Sequence, residues 1–453
     1  LGTLLPAPAT PLQTFTFASP PASTTTPIQT QTLSLLTTIR AHLLSHSLPP
    51  TSILSTSILL RRMSDFAPVN ALYASLFPFP NPPARVTISC GGEAEADITI
   101  ALAVHTGLDK RGGAQREALH VQSRSYWAPA NIGPYSQAVS IPLASLGGGT
   151  AGGRLVSVAG QIPLVPASME MFDWGKGRLE GQVVLGLQHL WRIGVERGVA
   201  WWTSAVAYFA GDDGEGGMEQ RVELAARAWR ASHETSQEEE EDEDYEGPDV
   251  WDRRYNDRYR TYSTIPPDNN HQQDLPDRSV LTPSSSSPSV PAPPLFVAEV
   301  AELPRAAGVE WHAHLGIARV GEGSVTLREV EKDAGVVVAQ VIVAGASEGA
   351  TSFVQTVVVE RLRADVSGGA GQGEGHGKIA AAALTELGDA AAAGEPAVAV
   401  RYVDVGVLRE RQGQEQDGGV GRGLVVPCRS LWDDQGRKLA AVTVYQSVFE
   451  KRG

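Results

Sequence analysis

Cysteine is nearly absent from this chain. Its 453 residues hold two, Cys90 and Cys428. That is too few for a disulfide framework or a four-thiolate zinc site, and it fits a reducing, cytoplasmic compartment. Basic residues are also scarce: 37 Lys and Arg stand against 51 Asp and Glu, a net charge of −14. Phosphate binding needs a basic face, so a nucleic-acid partner is not expected. No apolar run approaches the roughly 20 residues that span a bilayer. The best, Val336 to Ala346, is too short, and no membrane association is expected. The chain opens on Leu1 rather than Met and lacks the charged-then-apolar pattern of a secretory leader. The expectation is a fragment of a longer soluble protein. Glycine and proline are plentiful instead, 47 and 30, above the usual share of roughly 12%. Long loops or disordered inserts follow from that. The length allows about three domains, at roughly 150 residues each.

Periodicity divides the chain. Leu36, Ile39 and Leu43 follow helical spacing until Pro49-Pro50. Ile53 to Leu60 is β-branched and short, as a strand should be. Met63 to Phe77 is a second amphipathic stretch, and Arg85 to Ile88 and Ile98 to Val104 read as strands. Helix, strand, helix, strand, strand is an α+β layer with helices on one face of a sheet. The same grammar returns after a polar bridge. A strand at Leu155 to Ala159 precedes a helical stripe of Val184, Leu187, Leu190, Trp191 and Val195. A strand over Trp202 to Phe209 and a helix over Met218 to Trp229 follow, then strands at Phe296 to Val300 and Val309 to His314. Between them, residues 237–294 run from the acidic string Glu238 to Asp244 to Ser284-Ser285-Ser286-Ser287. High charge with little apolar content predicts a disordered insert. Later strands are expected at Val336 to Val343, Phe353 to Val359, Ala397 to Val405 and Leu439 to Tyr445, with a short helix at Lys378 to Leu387.

Two strings carry chemistry. One is Trp127-Ala128-Pro129-Ala130-Asn131-Ile132-Gly133-Pro134-Tyr135-Ser136-Gln137; the other is Val158-Ala159-Gly160-Gln161-Ile162-Pro163. A Gly-Pro-Tyr turn presents a phenol from irregular backbone, and Gly-Gln at a strand end leaves room for a ligand near backbone amides. Together they resemble the reactive-intermediate deaminase family (RidA, or YjgF/UK114). Glu299 to Pro304 resembles that family's closing strand, with Glu310 at the position of its acidic catalytic residue. Met63 to Tyr73 resembles its Asp-Phe-x-x-Val-Asn-x-x-Tyr helix, and Pro83-Ala84-Arg85 its carboxylate-gripping strand start. A guanidinium fork suits that role by pairing both carboxylate oxygens.

The resemblance implies tandem RidA-like domains of the chorismate-mutase-like α+β type, over residues 10–106 and 124–320. A C-terminal α/β region at 324–453 is either separate or a degenerate third copy. Each copy is incomplete. The first keeps Arg85 but has Ile98 and Ile100 where the acid belongs. The second keeps Tyr135, Gly160 and Glu310 but has Leu295 in place of the arginine. Family sites lie between subunits of a trimer, so two half-sites can combine across an interface. Loss of deaminase activity with retention of the fold is nevertheless the expectation. The site residues so implied are Glu310 and Tyr135 as catalytic vestiges, and Gly160, Gln161 and Arg85 for ligand binding.

The wording of Tyr126 to Ala138, of Val158 to Pro166 and of the tail Pro427 to Asp433 also resembles the C-terminal part of fungal diphthine–ammonia ligases. In that family an ATP-pyrophosphatase domain precedes two deaminase-like domains, and the substrate is translation elongation factor 2. The family's Ser-Gly-Gly-x-Asp-Ser phosphate loop does not occur; Ser89-Cys90-Gly91-Gly92 is the nearest string. No cofactor is therefore expected on this chain, and ATP belongs upstream. A homo-oligomer or a pseudo-trimer would follow from the family's trimeric habit. His312 and His314 share a strand face but lack a third metal ligand, so no metal is expected. Cys428 beside Arg429 is a candidate low-pKa thiol, though a structural role is favoured. Trp191, Trp201 and Trp202 read as core.

Overall fold

The computed structural model describes residues 11–21, 26–107, 116–146, 152–173, 175, 177–211, 217–234, 275–283, 292–332, 335–344, 351–362, 398–407 and 423–450. The acidic run, the Gly-rich string at 368–377 and the expected helix at Lys378 to Leu387 lie outside them.

The first unit contains β1 (Leu12–Ala18), α1 (Ile28–Ser45), β2 (Ile53–Leu60), α2 (Phe66–Tyr73), β3 (Ala84–Ser89) and β4 (Ile98–His105). Its sheet runs β1-β4-β2-β3, with β2 and β3 parallel and the other pairs antiparallel. The apolar spacing of α1 buries Leu35, Leu36, Ile39 and Leu43 on Ile58, Leu60, Ile98, Ile100 and Leu102 of the sheet. Ile98 and Ile100 are thus spent on the helix-facing core.

The second unit adds β5 (Glu117–Leu119), β6 (Ala138–Pro142), β7 (Arg154–Val158), α3 (Arg178–Glu196), β8 (Val199–Trp202), β9 (Ala205–Ala210), α4 (Met218–Ala231), β10 (Leu295–Val300), β11 (Val309–Ala313) and β12 (Gly316–Ala318). The expected strand over Trp202 to Phe209 is broken at Thr203-Ser204. β8 joins the sheet β5-β6-β7-β12-β8, whereas β9 joins β11-β9-β10. The strand expected at Val309 to His314 stands as β11, and after a break at His314-Leu315 the chain continues as β12, which returns to the first of these sheets. Bending both strands at one level passes the sheet from one partner set to the other. The helical stripe is also shifted by one residue: α3 buries Leu179, Val183, Leu187, Leu190 and Ile193, while Val184 is 59% exposed. Leu187 and Leu190 fit either face, and the i−4 position from Leu187 is 183. Val183→Ala should therefore cost about 2 kcal/mol in urea unfolding, and Val184→Ala close to nothing. Equal costs would refute the assignment.

The C-terminal region contains β13 (Val325–Lys332), β14 (Val336–Val343), β15 (Thr351–Arg361), β16 (Val398–Asp404), β17 (Leu424–Cys428), β18 (Ser430–Asp433) and β19 (Leu439–Glu450). Its sheet runs β13-β14-β15-β19-β16-β17, and β18 instead pairs with β10 of the second unit. Only β16 and β17 are parallel, so the described part of this region is a mostly antiparallel sheet, and the helix expected in it lies outside the described residues. The order β15-β19-β16-β17 repeats β1-β4-β2-β3 with the same strand directions. One core joins all three units: Leu59, Ile88 and Cys90 meet Val206, Phe296 and Ala298, and Tyr402, Leu424 and Val442. Trp201 and Trp202 are 1% and 0% exposed, as core residues should be, and Trp191 packs edge-on to Trp229. No helix among the described residues is long and apolar enough to cross a membrane.

Candidate functional site

Arg85 is the second residue of β3 and only 5% exposed. Its register partner on β2 is Thr56, whose hydroxyl bonds the Tyr73 hydroxyl at 2.8 Å, so the side chain lies on the α2 side of the sheet. Phe66, Asn70 and Tyr73 sit at i, i+4 and i+7 of α2 and therefore form one stripe. Asn70 Oδ1 accepts from Arg85 Nη1 at 2.7 Å. The guanidinium carbon lies 5.7 Å from the Phe66 ring centre, 5.4 Å from that of Tyr73 and 5.1 Å from that of Tyr135. Aromatic faces and an amide oxygen thus hold the cation. Among the described residues, no carboxylate pairs with it at ion-pair distance.

The second unit supplies the other half. Gly160, just beyond β7, donates its N–H to the Arg85 carbonyl at 3.1 Å, and Ser136 donates to the Pro83 carbonyl at 3.1 Å. Gln161 and Trp311 exchange backbone bonds of 2.7 and 2.9 Å, which draws β11 to the same place. Glu310, the second residue of β11, is 3% exposed, and its Oε2 has no hydrogen-bond partner. Burial pushes its carboxyl up to about 8, with Arg85 pulling the other way. Burial lowers Arg85 from its usual range, opposed by Tyr73, Tyr135 and Glu310. Burial likewise raises the half-buried Tyr135, with Arg85 opposing. At neutral pH the site therefore holds a cation, a protonated carboxyl and neutral phenols.

Two glycines make the approach possible. A Cβ on Gly160 would overlap the Glu310 Oε1 and stand 2.8 Å from its Cδ. A Cβ on Gly133 would stand 2.5 Å from Arg85 Nη2. The Gly-Pro-Tyr turn is what lets its loop close over the guanidinium.

Of the expected residues, Arg85, Tyr135, Gly160 and Glu310 come together. Groups from the first unit and groups from the second thus meet across a seam within one polypeptide. Gln161 is there in backbone only: its side-chain amide turns away to the Ala159 carbonyl at 2.8 Å. Leu295 begins β10 and packs into the second unit's helix-side core. Sequence reading missed Phe66, Asn70, Tyr73 and Gly133 as parts of the site, although the helical stripe in Asp-Phe-x-x-Val-Asn-x-x-Tyr was the available signal.

The lesser candidates differ from their sequence readings. Cys428 is fully buried and burial holds its thiol well above the usual range, the opposite of an activated thiolate. Ser89-Cys90-Gly91-Gly92 is a strand end followed by a tight turn (Gly91–Glu93), without a helix to receive phosphate. His312 and His314 do share a face, with ring centres 5.5 Å apart. His314 bonds the Ser204 hydroxyl at 2.9 Å and the Tyr402 hydroxyl at 3.2 Å, and Tyr402 bonds Tyr208 at 3.0 Å. Burial lowers the two histidines to about 4 and about 3. His314 is part of a neutral network between the second unit and the C-terminal sheet, and the buried His312 Nδ1 has no hydrogen-bond partner. Among the described residues no three His, Cys, Asp or Glu side chains form a metal-binding group.

No family model matches the chain. Partial structural likeness extends to a chorismatase (TM-score 0.37, 13% identity, 68% of this chain and 75% of that one). It extends also to RidA from an Antarctic Psychrobacter (TM-score 0.23, 15% identity, 44% and 97%). Among curated proteins, the diphthine–ammonia ligase of Schizosaccharomyces pombe is 36% identical over 152 residues, 34% of this chain and 22% of that protein. The ligase of Saccharomyces cerevisiae is 35% identical over 171 residues, 36% and 23%. The chain spans less than a quarter of the length of these relatives. Over about a third of its own length it is related to the fungal diphthine–ammonia ligases.

Proposed function

We propose that this chain is the C-terminal region of a diphthine–ammonia ligase. The enzyme would amidate diphthine to diphthamide on cytoplasmic translation elongation factor 2, with the ATP-pyrophosphatase chemistry carried outside these residues. The identity to two fungal ligases carries the family reading. The absence of a Ser-Gly-Gly-x-Asp-Ser string from the sequence supports placing the ATP step elsewhere. The first two units are then tandem RidA-like domains and the C-terminal sheet a third, worn copy, making a pseudo-trimer within one chain; the repeated strand order supports this.

The meeting of Arg85 with Glu310 supports a role in ammonia supply. A 2-aminoacrylate-like enamine would place its carboxylate on Arg85, the one buried cation of the site. Protonated Glu310 would deliver its proton to the enamine carbon, giving the iminium. Water then adds to the iminium carbon and gives up a proton to Glu310, and the resulting carbinolamine collapses to the keto acid and ammonia. A carboxyl near 8 is poised for both transfers at neutral pH.

Two assays test the reading. With ATP, ammonium and diphthine-bearing elongation factor, this chain alone should form no diphthamide; turnover would refute the placement of the ATP site. With 2-aminoacrylate generated in situ, the chain should release ammonia. Arg85→Ala should lower that rate at least a hundredfold through KM and kcat together, and Tyr135→Phe about tenfold. Unchanged ammonia release in Arg85→Ala would refute this site, and no release by the parent chain would leave a non-catalytic assembly module, measurable as binding to the elongation factor without turnover.

A further inference from the structure

Five polar side chains outside the Arg85 site form one unbroken line. Ser204 stands where β8 gives way to β9, and His314 where β11 gives way to β12. Gln355 of β15 donates its amide to the Ser204 hydroxyl at 2.8 Å. That hydroxyl meets His314 Nδ1 at 2.9 Å, and His314 Nε2 meets the Tyr402 hydroxyl at 3.2 Å. Tyr402 of β16 in turn meets the Tyr208 hydroxyl of β9 at 3.0 Å. Ser204, Gln355, Tyr208 and Tyr402 are each no more than 2% exposed. The line thus passes three times between the second unit and the C-terminal sheet.

Tyr208 ends it beside Glu310. The two are register partners on β9 and β11, so their side chains rise from the same face of the sheet. Burial first, then Tyr402, Cys428 and Glu310, hold the Tyr208 phenol well above its usual range, and it keeps its proton at neutral pH.

Proton bookkeeping gives the line a direction. Each hydroxyl and each neutral imidazole has one proton to give and can accept another. Gln355 fills the Ser204 oxygen, which leaves the serine proton for His314 Nδ1. His314 then carries its own proton on Nε2 and gives it to Tyr402, and Tyr402 gives its own to Tyr208. The opposite tautomer leaves the buried serine proton without an acceptor among these groups. The Tyr208 proton is the one left over, and Glu310 Oε2 is a buried acceptor without a hydrogen-bond partner.

We propose that Tyr208, Tyr402 and His314 are positioning residues for Glu310, a line of hydrogen bonds through which the C-terminal sheet tunes how tightly that carboxyl holds its proton. The inference rests on the reading of Glu310 as the proton-transfer group. A donor bonds a carboxylate more strongly than a carboxylic acid, and each bond behind it polarises the next. The line therefore favours release of the proton against the effect of burial, as Arg85 does from the first unit. The other titratable group facing the carboxyl is Tyr135. Cys428 faces the two tyrosines of the line, and His312 faces His314.

The carboxyl-carbon NMR titration of Glu310 tests it, with the signal assigned by its loss in Glu310→Gln. Tyr208→Phe should raise the midpoint by about one pH unit. Tyr402→Phe, one hydroxyl further away, should raise it about half as far. Ser204→Ala, the mildest truncation, should act in the same direction and serves where a phenylalanine variant does not fold. Val442→Ala, a change in the same apolar core at the register partner of Tyr402, should leave the midpoint in place. The pH profile of ammonia release should move with the midpoint. A midpoint indifferent to Tyr402→Phe, or to Ser204→Ala where the former does not fold, overturns the proposal. So does a downward shift in any of the three, or an equal shift in Val442→Ala. Failure of the deaminase reading shows separately, as a parent chain that releases no ammonia while the titration still moves with Tyr402.

Discussion

Glu310→Gln should make the chain more stable at pH 8 than at pH 5 relative to the parent, by on the order of 4 kcal/mol. The sign follows from linkage. The Glu310 carboxyl sits at about 8 in the folded protein and near 4.5 when exposed. Between those values the folded protein keeps a proton that the unfolded chain releases. Stability is therefore full below about 4.5 and falls as pH rises toward 8. Glutamine has the shape of the protonated acid and no charge to bury, so it removes that slope. Urea midpoints of parent and variant at pH 5, 6.5 and 8 measure the effect. Parallel curves would mean that the carboxyl is ionised in the fold and that its poise for proton transfer is lost with it. Ammonia release by the variant should fall at least a thousandfold, since an amide cannot donate and recover the proton.

The second large effect is expected at Gly160. A methyl group there overlaps the Glu310 Oε1 and stands 2.8 Å from Cδ and 3.2 Å from Cγ. The carboxyl is 3% exposed and has little room to move. Overpacking of this kind costs about 3 kcal/mol. Gly160→Ala should show that loss in denaturant unfolding and should lower ammonia release with it. The clash has one partner, so the cost should mostly vanish in a Glu310→Ala background. A coupling energy below about 1 kcal/mol in that double-mutant cycle would place the strain in the backbone instead.

Local signals carried much of the fold. The β-branched run set β2 where it stands, and the helical spacing placed α1 and α2, although α1 ends at Ser45 before Pro49-Pro50 and α2 fills only Phe66–Tyr73 of the expected Met63 to Phe77. These were legible because one face of each is buried by its own unit. The break at Thr203-Ser204 was not. Its two halves are equally apolar, and what divides them is a change of neighbouring strand. Val184 and Val183 are chemically identical, and only the position of the sheet decides which one is covered.

The site divides in the same way. The sequence by itself determined the chemical groups: an arginine at a strand start, a phenol on a Gly-Pro turn, a glycine at a strand end and a carboxylate between apolar neighbours. It also left each copy short of one partner, and that shortage read as decay. Only the tertiary structure brought Arg85 and Glu310, 225 positions apart, to the two sides of Gly160. Nothing local encodes such a meeting, because it depends on how the units pack edge to edge around a shared apolar core. That packing also withdraws water from Glu310, which turns an ordinary acid into one that keeps its proton.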